Sequence, residues 1–195
     1  MPERVSHEVQ LVAIASGSAW FMDALHAVRT LRVTSWCIGA GAVRNVVWDA
    51  LSGKREPSAL ADVDVAYFDS TDVSPICDRQ LQSPLLALRP EVPWVLTNQA
   101  GVHVWFAEYF GHAVEPVNSL AEGVATWPEY ATSVGITMNE ARALEVIAPL
   151  GLHDLFSMTV RHNPARASVA NYQARIAQKK YRERWPAVTI VEGEC

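Results

Sequence analysis

Trp36-Cys37-Ile38-Gly39-Ala40-Gly41-Ala42-Val43-Arg44-Asn45, taken with Ala61-Asp62-Val63-Asp64-Val65 further along, decides how this chain folds. Val33 to Ile38 is β-branched and aromatic enough for a buried strand. It runs into small residues and opens into a helix expected over about 42–51, ended by Ser52-Gly53. Asp62 to Phe68 alternates, with Asp62, Asp64 and Ala66 on one face and Val63, Val65 and Tyr67 on the other, the period-two signature of a strand. Working outward, helices are expected over 6–15 and 18–31, broken near Gly17, with Ser18 as a cap and Phe21, Leu25 and Val28 buried. A helix over 76–88, strained by Pro84, leads to a strand over 94–97; helices follow over 102–109 and 119–125. Residues 133–137 fit a strand, 143–148 fit strand or helix, and a helical turn over 151–156 precedes a short strand over 157–160. The last element is one helix over 167–184, closed by Pro186. Helices before, between and after a few strands imply an α+β fold, a small mixed sheet flanked by helices with a helical C-terminal part.

Composition narrows the class. The chain has 195 residues, half of them apolar and 19% charged, which suits one globular domain and excludes a disordered chain. The best membrane candidate, Val9 to Met22, is cut by Ser16-Gly17-Ser18 and stopped by Asp23. Met1-Pro2-Glu3-Arg4 lacks the layout of a signal peptide. Cys37, Cys77 and Cys195 are odd in number and widely spaced, with no Cys-x-x-Cys, so a disulfide framework or zinc site is not expected. A cytoplasmic protein, without a membrane partner, is the expectation. A net charge of −5 argues against bulk DNA binding. That charge is uneven: residues 1–160 carry nine basic against 18 acidic residues, whereas 161–184 carry seven basic against one acidic. Arg175, Lys179 and Arg182 fall at helical spacings that share a face, which suits triphosphate, a polyanionic acceptor such as RNA, or plain solvation.

Gly39 and Gly41 let the backbone turn tightly and approach a ligand, and a helix N-terminus there aims free N–H groups at an anion. Arg44 lies in the first helical turn, where the dipole disfavours a cation; it is poised either for phosphate or for a salt bridge to Asp49 or Asp23. Asp62 and Asp64 project from one strand face about 6.5 to 7 Å apart. Like charges so close repel unless a cation lies between them. Hard divalent ions favour carboxylates together with substrate phosphates, an arrangement used in phosphoryl and nucleotidyl transfer. The alternative is a half-exposed strand whose acids face water.

The combination resembles the nucleotidyltransferase superfamily that includes DNA polymerase beta: strand, small-residue turn, helix, then a strand bearing Asp-x-Asp. More closely, it is similar to a family of bacterial nucleotidyltransferase-like proteins, formerly a domain of unknown function. The landmarks are Gly39-Ala40-Gly41-Ala42-Val43-Arg44-Asn45-Val46-Val47-Trp48-Asp49, Asp62-Val63-Asp64-Val65-Ala66-Tyr67-Phe68-Asp69 and Asn98-Gln99-Ala100-Gly101-Val102-His103. Trp127-Pro128-Glu129-Tyr130, Gly151-Leu152-His153-Asp154 and the ending 175–186 follow in order, so the resemblance spans about residues 8–190.

The resemblance implies a polymerase-beta-like fold in a single nucleotidyltransferase-like domain over 1–195, with a core at about 18–100 and a C-terminal extension at about 101–190. It implies transfer of a nucleoside monophosphate from a nucleoside triphosphate to an unassigned acceptor, a small molecule, a protein or RNA. Asp62 and Asp64 would be catalytic and hold Mg2+ or Mn2+. Gly39, Ala40, Gly41, Arg44, Asn45 and Lys179 would bind the nucleotide phosphates. The alternative is a non-catalytic nucleotide-binding or regulatory module on the same fold. Two departures stand out. Ala40 replaces a frequent Ser, and the third carboxylate expected on a later strand gives way to Asn98, a neutral amide able to ligate only through its carbonyl oxygen. Glu145 is the other candidate, if its stretch forms a neighbouring strand. The six histidines form no close pair; Trp36 and Trp94 are expected in the core, and Trp105 and Trp127 are expected there too, with stacking on a base as the alternative.

Overall fold

The computed structural model describes residues 5–193; Cys195 and the first four residues lie outside them. The elements are α1 (His7–Ser16), α2 (Ala19–Arg29), β1 (Trp36–Gly39), α3 (Ala40–Leu51), β2 (Val63–Tyr67), α4 (Pro75–Leu88) and β3 (Trp94–Asn98). They continue with α5 (Val102–Phe110), α6 (Leu120–Ala125), β4 (Gly135–Met138), β5 (Leu144–Ile147) and α7 (His153–Phe156). The chain then forms β6 (Thr159–Val160), α8 (Val169–Lys179), α9 (Tyr181–Arg184) and β7 (Thr189–Ile190).

Five strands form one mixed sheet in the order β3-β2-β1-β4-β5, and β6 and β7 pair separately. The β2–β3 pair is parallel, as its α4 crossover requires, and the other pairs in the large sheet are antiparallel. The alternation of Asp62–Phe68 holds: Val63, Val65 and Tyr67 are buried in the core at 2% exposure or less, and Asp62 and Asp64 stay half-buried on the other face.

Helix α3 has every residue from Ala42 to Asp49 buried, so it is packed on all sides. On one side lies the sheet. On the other, Trp48 meets Tyr181 and Trp185 edge to face at 5.9 and 5.2 Å, and its indole N–H donates to the Leu155 carbonyl. One buried cluster therefore runs from Leu11 to Val188.

Four local expectations change. β1 begins at Trp36, so residues 33–35 are outside it, and the open reading of 143–148 becomes a strand, β5. The last helix is two: Lys180 adopts a left-handed conformation, φ 49°, and ends α8. That break removes Arg182 from the face shared by Arg175 and Lys179; its Nε instead donates to the Val188 carbonyl. Ser18 stands at the N-cap of α2, but its side chain makes no capping bond. Among the described residues no single helix is long and apolar enough to cross a membrane, and α1 and α2 meet at 89°.

Candidate functional site

β1 and β2 bring the Gly39–Gly41 turn and the Asp62–Asp64 pair together. A methyl group placed on Gly41 would lie 3.6 Å from Arg44 Nη2 and 3.9 Å from Asp62 Oδ1, so this glycine borders a small space between a cation and a carboxylate. Gly39 has a different reason to be glycine. A Cβ there would fall 2.5 Å from the Trp127 indole and 3.0 Å from the Val134 carbonyl oxygen. Gly39 thus serves packing instead of ligand approach. Gly39→Ala must displace Trp127, and we expect a loss of about 1–3 kcal/mol in denaturant unfolding; a loss under about 0.5 kcal/mol would show the indole yielding freely.

Ala40 sits at φ 50°, a left-handed conformation that is strained for a residue with a Cβ, and its N–H donates to the Val134 carbonyl at 3.1 Å. The expected Ala40 N–H is therefore engaged within the protein. Gly41 and Ala42 follow in the first turn, where N–H groups have no intrahelical acceptor.

Arg44 is 3% exposed, yet no carboxylate pairs with it among the described residues. Both alternatives weighed from sequence have other partners: Asp49 binds Ser58, Lys54 and the Trp185 indole, and Asp23 pairs with Arg89. The guanidinium lies 5.6, 5.1 and 5.5 Å from the rings of Trp48, Tyr181 and Trp185, where cation–π attraction holds it. Its Nη2 donates to Asn45 Oδ1 at 2.8 Å, and its buried Nε has no partner. Asn45 is 1% exposed and orients Arg44 while tying to the Ala59 carbonyl, so it acts behind the site.

The acids are surrounded by cations. Lys179 Nζ stands 4.0 Å from Asp62 Oδ2. Burial and then the charge of Asp62 push the Asp64 carboxyl up from 3.8 to about 6, against the pull of Lys179, Arg175 and Arg44. Arg175 Nε is held 3.3 Å from Glu129 Oε1, and Glu129 also accepts from the Tyr181 hydroxyl at 2.8 and 3.0 Å. Glu129 is 1% exposed, and burial followed by its charge raises the Tyr181 hydroxyl. Nothing local in the sequence marks Glu129 for this role, because Arg175 and Tyr181 lie 46 and 52 residues away.

Among the described residues no third carboxylate joins the pair. In the parallel β2–β3 register Asp64 faces Val95 and Ala66 faces Thr97, whereas Asn98 is opposite Tyr67 and so belongs to the other face. Asn98 Oδ1 accepts from the Asp69 and Ala100 N–H groups, and its Nδ2 donates to the Asp69 and Asp72 carbonyls. Its amide is fully engaged in tying down the loop after β2. Glu145 lies on edge strand β5, separated from β2 by β1 and β4, or about 14 Å, and it accepts from Asn139. Among the described residues no group of three or more His, Cys, Asp and Glu is gathered for a metal. Two carboxylates still fit Mg2+, which is commonly held by one or two carboxylates plus substrate phosphates. The raised Asp64 reflects burial and unrelieved negative charge at that position. Cys37, on the same face, is fully buried, and burial followed by the charge of Asp64 pushes its thiol up to about 12, so it is no nucleophile.

A cavity of about 460 Å³ opens from Ala40 and Asp64. α5 supplies Trp105, Phe106 and Phe110 to its wall, α8 supplies Arg175, and Trp127 lies between. Trp105 and Trp127, expected in the core, are half-buried and line this space. Its volume is in the range of small-molecule sites.

A family model described as Nucleotidyltransferase matches residues 26–190. A solved structure described as revealing a CCA-adding enzyme head domain is 28% identical, with 97% of this chain and 98% of that chain covered at a TM-score of 0.80. A CCA-adding enzyme complexed with CTP is 10% identical, with 95% of this chain and 43% of that chain covered at a TM-score of 0.54. A tRNA-processing enzyme in an apo form is 14% identical, with 97% and 45% covered at a TM-score of 0.50. These last two share the fold alone, and this chain spans less than half of each. No curated protein sequence matches the chain.

Proposed function

Since the chain belongs to the nucleotidyltransferase family, we propose that it transfers a nucleoside monophosphate from a nucleoside triphosphate to an acceptor hydroxyl on a small molecule, a protein or RNA. The α+β fold is polymerase-beta-like. In this reading residues 1–195 form one domain, a core with a C-terminal extension, and act in the cytoplasm.

The observation that carries the reading is the space beside Gly41, bounded by Arg44 Nη2 and Asp62 Oδ1. Asp62 and Asp64 would hold Mg2+ or Mn2+, which when bound supplies charge neutralisation and alignment of the phosphates. Arg44 presents fork-shaped donors already fixed by Asn45 and three rings, so little ordering is needed when phosphate arrives. Lys179 and Arg175 offer positive charge beside the acids, suited to the charge that develops on leaving pyrophosphate. Glu129 keeps Arg175 in that position.

The test is binding of a nucleoside triphosphate with and without Mg2+. Binding that requires Mg2+ and disappears in the Asp62→Ala/Asp64→Ala double variant is expected; metal-independent binding that survives it overturns the reading. Gly41→Ala gives a narrower check. Its methyl meets only ordinary contacts at 3.6 and 3.9 Å, so folding is expected to hold, with triphosphate binding about tenfold weaker or worse, each tenfold being about 1.4 kcal/mol. Unchanged affinity would mean that the phosphates lie elsewhere.

A second reading is favoured by Val95 and Thr97 standing where a third carboxylate would face Asp64. It is a nucleotide-binding module without turnover, distinguished by tight Mg2+-dependent binding with no pyrophosphate release across small-molecule, protein and RNA acceptors.

A further inference from the structure

The cavity has two chemically different ends. Beside Asp64 the cations are Arg44, Arg175 and Lys179, the groups whose charge reaches that carboxyl, and of these Arg175 lines the cavity. Arg166 is not among them. Its guanidinium lies 5.8 Å from the centre of the Phe106 ring, on the wall that α5 builds with Trp105 and Phe110. Arg166 is 9% exposed, and no carboxylate pairs with it among the described residues. Asp64 is the one acid lining the cavity. One Arg166 donor, Nη2, goes to the Glu115 carbonyl oxygen. A guanidinium has five N–H donors in a fixed fork, so further donors remain for a ligand in the cavity. Burial without a compensating carboxylate lowers the Arg166 pKa.

Flat rings beside an unpaired donor fork call for a ligand with flat faces and an edge rich in acceptors. We propose that the α5 end of the cavity is a nucleobase subsite in which Arg166 selects a base presenting two neighbouring acceptors on one edge. Cytosine does so with O2 and N3, and guanine with O6 and N7. In adenine the acceptors on the Watson–Crick and Hoogsteen edges neighbour the amino donor, and in uracil an N–H separates O2 from O4, so neither fills the fork. Stacking on Trp105, Phe106 and Phe110 adds affinity for any base, because every base has a π-face. Of the other polar side chains on the wall, Gln99 is engaged with Trp127 and Thr97, and Asn171 and Gln178 each offer a single amide; discrimination is assigned to Arg166 for its fork of donors. This inference rests on the nucleoside triphosphate reading of the same site.

The experiment measures equilibrium binding of CTP, GTP, ATP, UTP and inorganic tripolyphosphate to the full chain with Mg2+. CTP, GTP or both are expected to bind about 10- to 100-fold tighter than ATP and UTP, the discrimination of one bidentate contact. Preference for CTP alone assigns the pyrimidine edge, and for GTP alone the purine edge. Arg166→Lys keeps the charge and loses the fork; it is expected to cut the preference to about threefold or less and leave tripolyphosphate affinity unchanged. Phe110→Ala, at a residue 44% exposed and safe for folding, is expected to weaken all four nucleotides alike and spare tripolyphosphate. Four nucleotides bound equally, or a preference for ATP or UTP, overturns the inference while the triphosphate reading stands; equal binding would hand the aromatic end to the acceptor. A CTP or GTP preference that persists in folded Arg166→Lys removes Arg166 from the role. If Arg166→Lys does not fold, the wild-type ranking and Phe110→Ala decide. No binding of any nucleotide defeats both readings together.

Discussion

Asp64→Asn is expected to raise the stability of the protein at neutral pH and to abolish the proposed nucleotidyl transfer. The ionised Asp64 carboxylate is unfavourable in the folded state, because burial and the neighbouring Asp62 outweigh the pull of Lys179, Arg175 and Arg44. Moving its ionisation from 3.8 to about 6 corresponds to a cost of ~3 kcal/mol at neutral pH. The folded state holds this proton more tightly than the unfolded chain, so stability falls as pH rises through the window from 3.8 to about 6 and is level above it. Asparagine has nearly the same shape and no charge. The variant should lose that pH slope and gain about 1–3 kcal/mol over wild type at pH 8 without metal, with no gain at pH 3, where the wild-type carboxyl is protonated. If Asp64 holds the metal as proposed, transfer should fall at least about 1,000-fold, since a metal-binding carboxylate would contribute several kcal/mol of charge stabilisation. Denaturant unfolding at the two pH values, beside an assay of nucleoside monophosphate transfer, reads both. A variant no more stable at pH 8 would show that Asp64 is well compensated in the free protein. Transfer at the wild-type rate would remove Asp64 from the reaction.

Glu129→Ala is expected to be the most damaging single change outside Asp62 and Asp64. The carboxylate is 1% exposed and gathers Arg175, Tyr181 and Thr132. Removing one partner of a buried ionic group leaves the others unpaired and costs about 3–5 kcal/mol, against a total stability for such a domain of about 5–15 kcal/mol. The damage reaches the site along two routes: Arg175 loses its anchor, and Tyr181, one of the rings around Arg44, loses its acceptor. Glu129→Gln keeps an acceptor for Tyr181 and removes the charge for Arg175, so an intermediate loss is expected. Arg175→Ala combined with Glu129→Ala should cost less than the sum of the two, a coupling of about 1 kcal/mol or more. Strict additivity in denaturant unfolding, or a Glu129→Ala loss below about 1 kcal/mol, would refute the network.

The readable parts of this protein are those in which a few adjacent residues carry a period or a turn. β2 shows its face in five residues because strand geometry repeats every two, and that repeat put Asp62 and Asp64 on one side before any contact was known. The order strand, small-residue turn, helix, strand was legible for the same reason. The helix break at Lys180, where φ is 49°, was not: no Gly or Pro marks it, and the residues beyond it, Tyr181 and Trp185, pack on Trp48 more than 130 residues earlier.

Residue roles at the site divide in the same way. The order of elements, the paired carboxylates and the Gly39–Gly41 turn could be read from neighbouring residues, because period and turn chemistry are local. Long-range packing sets the rest: Gly39 accommodates Trp127, Asn98 ties down a loop, and Arg44 rests among rings instead of pairing with Asp49 or Asp23. Glu129 holds Arg175, and Arg166 has no carboxylate partner among the described residues. These depend on which distant side chains meet once the core closes. Pairing a buried charge is a property of its three-dimensional surroundings, and sequence spacing carries no record of them.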